Sequence, residues 1–504
     1  MSLLGIDIGT SGCKAGAFSA DGRCLGMAYR EYPTLHPQPG RAELDSRLVM
    51  QQVEDTIREV AAATDGDPVT ALCVSAMGEA MTPVSETGEI LGNAILSADE
   101  RGADYVERLA GSFGQDAFYA INPNILAPHY SLPKLLWLRE HEPTVYNNAW
   151  KFLLWGELAT FLFGGDAVTS YSHANRTMLF DIHRQDWSDC LLAWADIPRE
   201  KLPATAMSGT VTGRVSSRKA AALGLPPDVD IVLGGHDQCL NALGAGIITG
   251  GKAVCGIGTI ECITPVFDFM PEPGPMCATG LSIEHHVLPD LYLSFIYNQS
   301  GVLLKWCRDT LAVADAQLLA DGEDIYDALL REMPDAPTGM LVLPHFENTG
   351  APEYITDSAG VIAGLHTSTN RGDILKAVIE GATYYFLDSI QTIADRGIDT
   401  SEFIATGGPA KSDAILQIKA DIFGAPFVRL TNTECGIAGA AMLAGVATGV
   451  FNNVAEAVTQ FVVRDRVFAP HAARHEQYRD IFERYARLYP ALKTLLADMR
   501  HAQP

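Results

Sequence analysis

Residues 234–259, GGHDQCLNALGAGIITGGKAVCGIGT, decide how this chain is read. They follow the apolar run Ile231-Val232-Leu233, place a carboxylate, Asp237, in a glycine turn, pass through small residues and reach a second turn at Gly258-Thr259. Asp237 is expected at the C-terminal end of a strand and the start of a helix, where backbone N–H groups and the helix dipole favour negative charge. An Asp in that position is either a helix cap, a common use of the residue, or a catalytic group. A matching motif at the far N-terminus tips the balance towards catalysis.

That motif begins with LLGIDIG (3–9) and KAGAFS (14–19), two strands joined by Thr10-Ser11-Gly12-Cys13. A third strand, 23–29, follows the turn Ala20-Asp21-Gly22 and completes an antiparallel meander. Asp7 interrupts an apolar strand, which is costly unless the carboxylate has a partner or a task. After Asp45 the run LVMQQVEDTIREVAAA has helical spacing, and VTALCVSAM (69–77) reads as a buried strand ending in Met77-Gly78-Glu79. A hairpin turned at Glu86-Thr87-Gly88 leads to ILSADERG. Residues 100–225 are expected to be mostly helical with irregular loops, Pro128, Pro133 and Pro143 bounding an apolar helix from Lys134 to Arg139.

From Gly251 the pattern of the N-terminus returns. KAVCGIGTIECITPV (252–266) is again strand, glycine-threonine turn and strand, and FIATGGPAKSDAILQIKADIFG (403–424) is again a buried strand ending in glycines before a helix. The expected architecture is therefore a duplicated α/β protein, 1–247 and 248–504, with the boundary near 245–252 and a central cleft into which both hairpins point their amides. The tail from Val454 to Met499 is expected to form helices packing on the second half.

Composition bounds the partners. The 504 residues are 47% hydrophobic and 19% charged, which fits a globular chain of more than one domain. With 36 Lys+Arg against 61 Asp+Glu the net charge is −25, which disfavours nucleic acid or an anionic membrane as partner. A bound nucleotide would need backbone amides, one or two lysines and a divalent cation to overcome that field. Ten cysteines without a C-x-x-C pair indicate neither a zinc knuckle nor a disulfide framework, and a reducing, cytoplasmic compartment is expected. MSLLGIDIG runs straight into a strand, so no secretory signal is expected, and no apolar window is long enough to span a bilayer.

Glycine-rich strand-turn-strand elements suit phosphate because the backbone approaches closely and Thr or Ser adds a hydroxyl. No G-x-x-x-x-G-K-[ST] is present, and the turns join strands rather than a strand and a helix, so neither a Walker A loop nor a Rossmann fingerprint applies. The stretches GIDIGTSGCKAGAF (5–18), GGHDQCLNALGAG (234–246), CGIGTIECI (255–263), FIATGGPAKSDAILQIKADIFGAP (403–426) and TECGIAGAAMLAGVATG (433–449) resemble the FGGY carbohydrate kinases in order and spacing. The resemblance implies two ribonuclease-H-like domains of the actin-like ATPase superfamily closing over ATP, Mg²⁺ and a sugar or polyol, the first mainly sugar-binding and the second mainly ATP-binding.

It also implies roles. Asp7 would hold the magnesium ion, mostly through water, with Thr10, Ser11 and Lys14 near the phosphates. Asp237 would be the base, orienting the attacking hydroxyl and accepting its proton. Gly258, Thr259 and Gly301 would meet the terminal phosphates; Gly407, Gly408 and Ser412 would line the adenosine pocket. Met77, Gly78, Glu79, Asp99, His129 and Gln238 would join Asp237 at the acceptor, with Tyr130 beside His129. Xylulokinases look like Gln-Met-His-Gly where this chain has Ala76-Met77-Gly78-Glu79, and glycerol kinases look like Gln-Arg-Glu, of which Glu79 survives, with Asp237-Gln238 matching their Asp-Gln pair. The family's Trp-x-Asp-x-Arg becomes Ser97-Ala98-Asp99-Glu100-Arg101, and Glu347 lacks the Arg that often follows it, so a changed or larger acceptor is expected. His285-His286 suggests a metal, but adjacent strand residues face opposite ways, and a structural or exposed role is preferred.

The first reading is an ATP-dependent kinase of a small ketose or polyol, a pentulose such as xylulose first and glycerol, a tetritol or a pentitol next. Dimers are common among relatives, so a homodimer is a further expectation. A reading of another class is an actin- or chaperone-like ATPase gripping a protein partner; a regulator that has lost catalysis is disfavoured by intact Asp7, Asp237 and Thr259.

Overall fold

The computed structural model describes residues 1–312 and 324–501. Two sheets organise it. In the first, the strand order is Val211–Arg214, Asp230–His236, Val69–Ala76, Ser2–Ile8, Gly12–Ser19, Cys24–Glu31. Ser2–Ile8 runs antiparallel to Gly12–Ser19 and parallel to Val69–Ala76, which is parallel to Asp230–His236. The second sheet repeats the plan. Lys252–Ile257 is antiparallel to Ile260–Phe267 across the Gly258-Thr259 turn, parallel to Glu402–Thr406 and, through it, parallel to Phe427–Leu430. Strands flanked on both sides are apolar runs because both faces are covered; Ser2–Ile8 is buried at every position except Asp7.

The two halves meet through a pair of helices, Asp237–Gly244 and Cys435–Ala447. A Cβ at Gly244 would lie 1.8 Å from the Cys435 carbonyl oxygen, and one at Gly439 would lie 2.0 Å from that of Leu240. Glycine is thus required for the backbones to approach this closely, and the Ala/Gly-rich composition of 433–449 is explained by packing. Opposite the second sheet the helix Arg371–Ala394 starts at a capping box, Asn370 with Asp373, and is buried along most of its length.

Three expectations about elements change. Residues 100–225 contain the helices foreseen but also short paired strands, Val168–Ser170 with Ala204–Ala206 and Phe180–Asp181 with Asp186–Trp187. The helix bounded by prolines runs from Ser131 to His141, with Pro133 in its first turn, where no N–H is needed. In the tail, Arg464–Phe468 is an edge strand antiparallel to Phe427–Leu430, between the helices Val454–Phe461 and Ala472–Tyr485. No helix among the described residues is long and apolar enough to cross a membrane.

Candidate active site

Asp7 lies one residue before the end of its strand, paired in register with Lys14 on one side and Ser75 on the other. Its Oδ1 accepts a hydrogen bond from Ser75 Oγ at 2.6 Å. Burial first, and then the charge of Asp237, push the Asp7 carboxyl up to about 6, against the pull of Ser75 and Lys14. A Cβ at Gly436 would lie 3.8 Å from that carboxyl, so the helix Cys435–Ala447 begins beside it. A half-buried, hard oxygen donor whose neighbouring lysine is paired with Glu434 fits a magnesium ion, and Asp7 is the residue that would hold it.

Asp237 is the first residue of its helix, directly after the strand Asp230–His236. Burial pushes its carboxyl up, while the neighbouring His236 pulls it down. Its Oδ1 is 3.3 Å from His236 Nε2 and, among the described residues, makes no hydrogen bond. That oxygen is buried and, apart from the His236 ring beside it, open among the described residues to a donor from the cavity, the condition of a group able to accept a proton.

Asp237 opens into a cavity of about 760 Å³ that Met77, Gly78, Glu79, His129 and Gln238 also line, with Thr10 at its margin. Tyr130, Phe295, Tyr297 and Tyr354 supply aromatic walls, the last three from the second half of the chain. Glu79 has φ of 65°, a left-handed conformation that costs energy for a residue with a side chain. It is held there by Ser131 Oγ, which donates to its carbonyl at 2.6 Å, and by Arg176, whose Nε donates to Oε1 at 2.7 Å. Burial raises the Glu79 carboxyl, but Arg176, His236 and His129 together bring it below its ordinary value. The Arg176 guanidinium lies between the rings of Tyr130, at 4.9 Å, and Phe295, at 5.3 Å. Gly78 is the space this arrangement needs, since a Cβ there would lie 2.9 Å from Arg176 Cγ. His129 is pushed down to about 4 by burial, and so is neutral at physiological pH.

A second cavity, of about 690 Å³, is lined by Gly258, Thr259, Gly301, Gly408 and Ser412. The Gly301 N–H donates to the Gly258 carbonyl at 3.1 Å, fixing the start of the helix Gly301–Leu311 on the hairpin turn. Gly407 stands between the strand Glu402–Thr406 and the turn that carries Gly408, and Ser412 caps the helix Asp413–Phe423. Thr10 and Ser11 are exposed at the tip of the first hairpin, and the ammonium of Lys14 is engaged by Glu434.

Asp99 does not belong with the acceptor-facing residues. Its carboxylate is fully buried, accepts from Arg101 Nε and Nη2 at 2.9 and 2.7 Å and from the Ala42 N–H at 2.7 Å, and lies 3.9 Å from Lys134 Nζ. Ser97 and Ala98 reach the cavity instead. His285 and His286 are both buried: His285 Nε2 meets the Ile182 carbonyl at 3.2 Å, and His286 Nδ1 accepts from the Leu288 N–H at 3.1 Å. Their role is structural, and neither is exposed.

Sequence reasoning passed over Arg176, His236 and Glu284. His236 Nδ1 and Cys239 Sγ both bond Glu284 Oε1, at 3.0 and 3.1 Å. These three side chains could form a metal site by spacing alone. Burial opposes a charge on His236, but Glu284 and Asp237 raise it to about 9, and the Cys239 thiol is pushed well up by burial. Both groups therefore keep their protons and donate them to Glu284, which makes a hydrogen-bonded cluster. Nothing local marked Glu284, which stands beside His285 and His286 rather than in an apolar run like that around Asp7, and nothing local marked Arg176.

The model of the FGGY carbohydrate kinase N-terminal domain matches residues 2–244, and that of the C-terminal domain matches 273–448. A xylulose kinase from Bacillus subtilis is 28% identical over 498 residues, 98% of this chain and 97% of its own length. A glycerol kinase from Alkalilimnicola ehrlichii is 30% identical over 494 residues, 94% of this chain and 95% of its own. Among solved structures, a xylulose kinase from Rhodospirillum rubrum superposes with a TM-score of 0.88 at 26% identity, covering 98% of this chain and all of that one.

Proposed function

This chain belongs to the FGGY family of carbohydrate kinases, and on that premise we propose that it transfers the γ-phosphoryl group of ATP to a hydroxyl of a small ketose or polyol, a pentulose such as xylulose first. The observation that carries the reading is Asp237 Oδ1, buried on the wall of the larger cavity and, among the described residues, making no hydrogen bond, its neighbouring cation being His236 at 3.3 Å. An acceptor hydroxyl there donates its proton to Asp237 as its oxygen bonds to the γ-phosphorus. The bond from that phosphorus to the β–γ bridging oxygen breaks, and ADP leaves. In a loose transition state the alignment of the hydroxyl matters as much as proton transfer. Glu79, Arg176 and Gln238 fix that alignment by hydrogen-bonding the acceptor, and the aromatic walls exclude water, the competing nucleophile. Gly258 and Thr259 cradle the phosphates. Magnesium, held by Asp7, supplies charge neutralisation on the phosphates when bound.

In this reading residues 1–247 carry most of the acceptor site and 248–504 the nucleotide, and the ten free cysteines suit the reducing cytoplasm. A cavity of about 760 Å³ favours a five-carbon or longer acceptor over glycerol. Glu79 with Asp237-Gln238 favours the polyol alternative, supported also by the glycerol kinase relative.

The test is product formation and ADP release across D- and L-xylulose, ribulose, ribitol, xylitol, erythritol, glycerol and gluconate. A pentulose is expected to give the highest kcat/KM, and Asp237→Asn is expected to lower kcat by about 10²–10⁴-fold. Turnover highest with glycerol would shift the assignment to the second reading; ATP binding with no acceptor-dependent turnover would remove both.

A further inference from the structure

Glu284 belongs to the second sheet by sequence and by strand pairing, on the edge strand Ile283–His285. Its strand is nonetheless fastened to the first half. The Ile283 N–H donates to the Pro123 carbonyl at 2.8 Å, and Asn175 Nδ2 donates to the Ile283 carbonyl at 2.9 Å. The side chain is fully buried between two cations of the first half: Oε1 is 3.0 Å from His236 Nδ1, and Oε2 is 3.8 Å from Arg176 Nε. Each cation touches a carboxylate of the acceptor cavity in turn, His236 reaching Asp237 through Nε2 at 3.3 Å and Arg176 reaching Glu79 through Nε at 2.7 Å. Both ring nitrogens of His236 face carboxylate oxygens, an arrangement that needs a hydrogen on each.

The geometry points to Glu284 as a positioning residue for phosphoryl transfer, a carboxylate of the second half that sets the base Asp237, through His236, and the acceptor-gripping Glu79, through Arg176, in one fixed relation. Three carboxylates alternate with two cations, so each cation is shared and neither acceptor-side carboxylate can rotate without breaking a buried pair. Burying a carboxylate costs several kcal/mol unless it is paired. Packing alone would be served better by an apolar residue at so buried a position. Glu284 touches neither acceptor nor nucleotide in this scheme, and its effect is on the direction in which Asp237 and Glu79 point.

The inference rests on the kinase reading, and the experiment separates the two. Wild type, Glu284→Gln, His236→Asn, Arg176→Lys and Glu380→Gln are compared for kcat, KM of acceptor and of ATP, ATP hydrolysed per acceptor phosphorylated, and melting temperature. Glu380 is a buried carboxylate bonded to Thr338 and Tyr478 that lines neither cavity, and it reports what loss of a buried charge does to stability. Glu284→Gln keeps shape and removes charge. It is expected to lower kcat by about 10²-fold, the cost of roughly 1 Å of misalignment, to raise acceptor KM, to leave ATP KM unchanged and to waste more ATP as hydrolysis. His236→Asn should reproduce the kcat part and Arg176→Lys the KM part. If Glu284→Gln loses only melting temperature, as Glu380→Gln does, with wild-type kcat and acceptor KM, the inference is wrong. If Glu284→Gln does not fold, wild-type kinetics in both other variants overturns it equally. A wild type that binds ATP yet phosphorylates no acceptor sinks the kinase reading instead.

Discussion

At the scale of single residues the site is a set of buried charges whose states are set by their neighbours. Asp7 is the clearest case, because its folded pKa of about 6 lies above the ordinary 3.8. A carboxyl raised in the folded state favours folding below its unfolded value, and that contribution is lost as pH rises through the folded value. Ionised Asp7 therefore strains the metal-free protein at neutral pH, by on the order of 2 kcal/mol after allowance for partial exposure. Asp7→Asn is expected to raise the melting temperature of metal-free protein at pH 7.5, to lose that gain between pH 6 and 4, and to abolish phosphotransfer; a variant less stable at pH 7.5 would contradict the assignment. Asp7 stood out because a carboxylate in an apolar strand is a local anomaly, whereas Asp237, at a place common for a helix cap, stood out only beside the matching N-terminal motif. Asp99 was misjudged because Arg101 of its own motif turns back to pair with it, while Lys134, thirty-five positions away, closes the other side. Gly78 read as a missing side chain, yet it is the room taken by Arg176, ninety-eight residues on.

Among elements, the helix pair Asp237–Gly244 and Cys435–Ala447 decides whether the two carboxylates stay in place, since one helix begins with Asp237 and the other begins beside Asp7. Helix propensity alone favours Ala over Gly by about 1 kcal/mol. At Gly111, near the end of the helix Ala103–Phe113, a Cβ meets nothing within 4 Å, so Gly111→Ala should stabilise by roughly that amount. At Gly439 the same atom lies 2.0 Å from the Leu240 carbonyl oxygen, a backbone atom of the facing helix. Overpacking of this kind costs about 1–3 kcal/mol, so Gly439→Ala should lower the melting temperature despite the better propensity, and should lower kcat by moving Asp237. Opposite shifts of the two variants in thermal melts are the expected result, and equal stabilisation would remove the close-approach argument. The hairpins and flanked strands were readable because their apolar runs and glycine turns are continuous in sequence. Arg464–Phe468 was not, because an exposed edge strand carries no apolar alternation; its ties are backbone pairing and ion pairs such as Arg429–Asp465 and Arg464–Glu402.

For the molecule as a whole, the repeat of hairpin and parallel strands made two halves legible, but the division of labour proposed for them would be incomplete, since Phe295, Tyr297 and Tyr354 of the second half line the cavity of Asp237. What the whole chain contributes to function is its field. The net charge of −25 repels a nucleotide, and the charges lining the nucleotide cavity nearly cancel, Lys305 and Lys411 against Asp324 and Asp327. With no excess of cations among the described lining residues, encounter with MgATP, itself anionic, is governed by the distant charges, and these act over a Debye length of about 30 Å at 0.01 M salt but only about 8 Å at 0.15 M. Salt should therefore help. At saturating acceptor and fixed free magnesium, raising KCl from about 10 to about 150 mM is expected to raise kcat/KM for MgATP severalfold by screening the repulsion. An uncharged acceptor should show no such trend in its own KM, which separates screening from a general effect of salt on the enzyme. A fall in kcat/KM for MgATP over the same range would mean that the hairpin amides and nearby lysines attract the nucleotide more strongly than the acidic surface repels it.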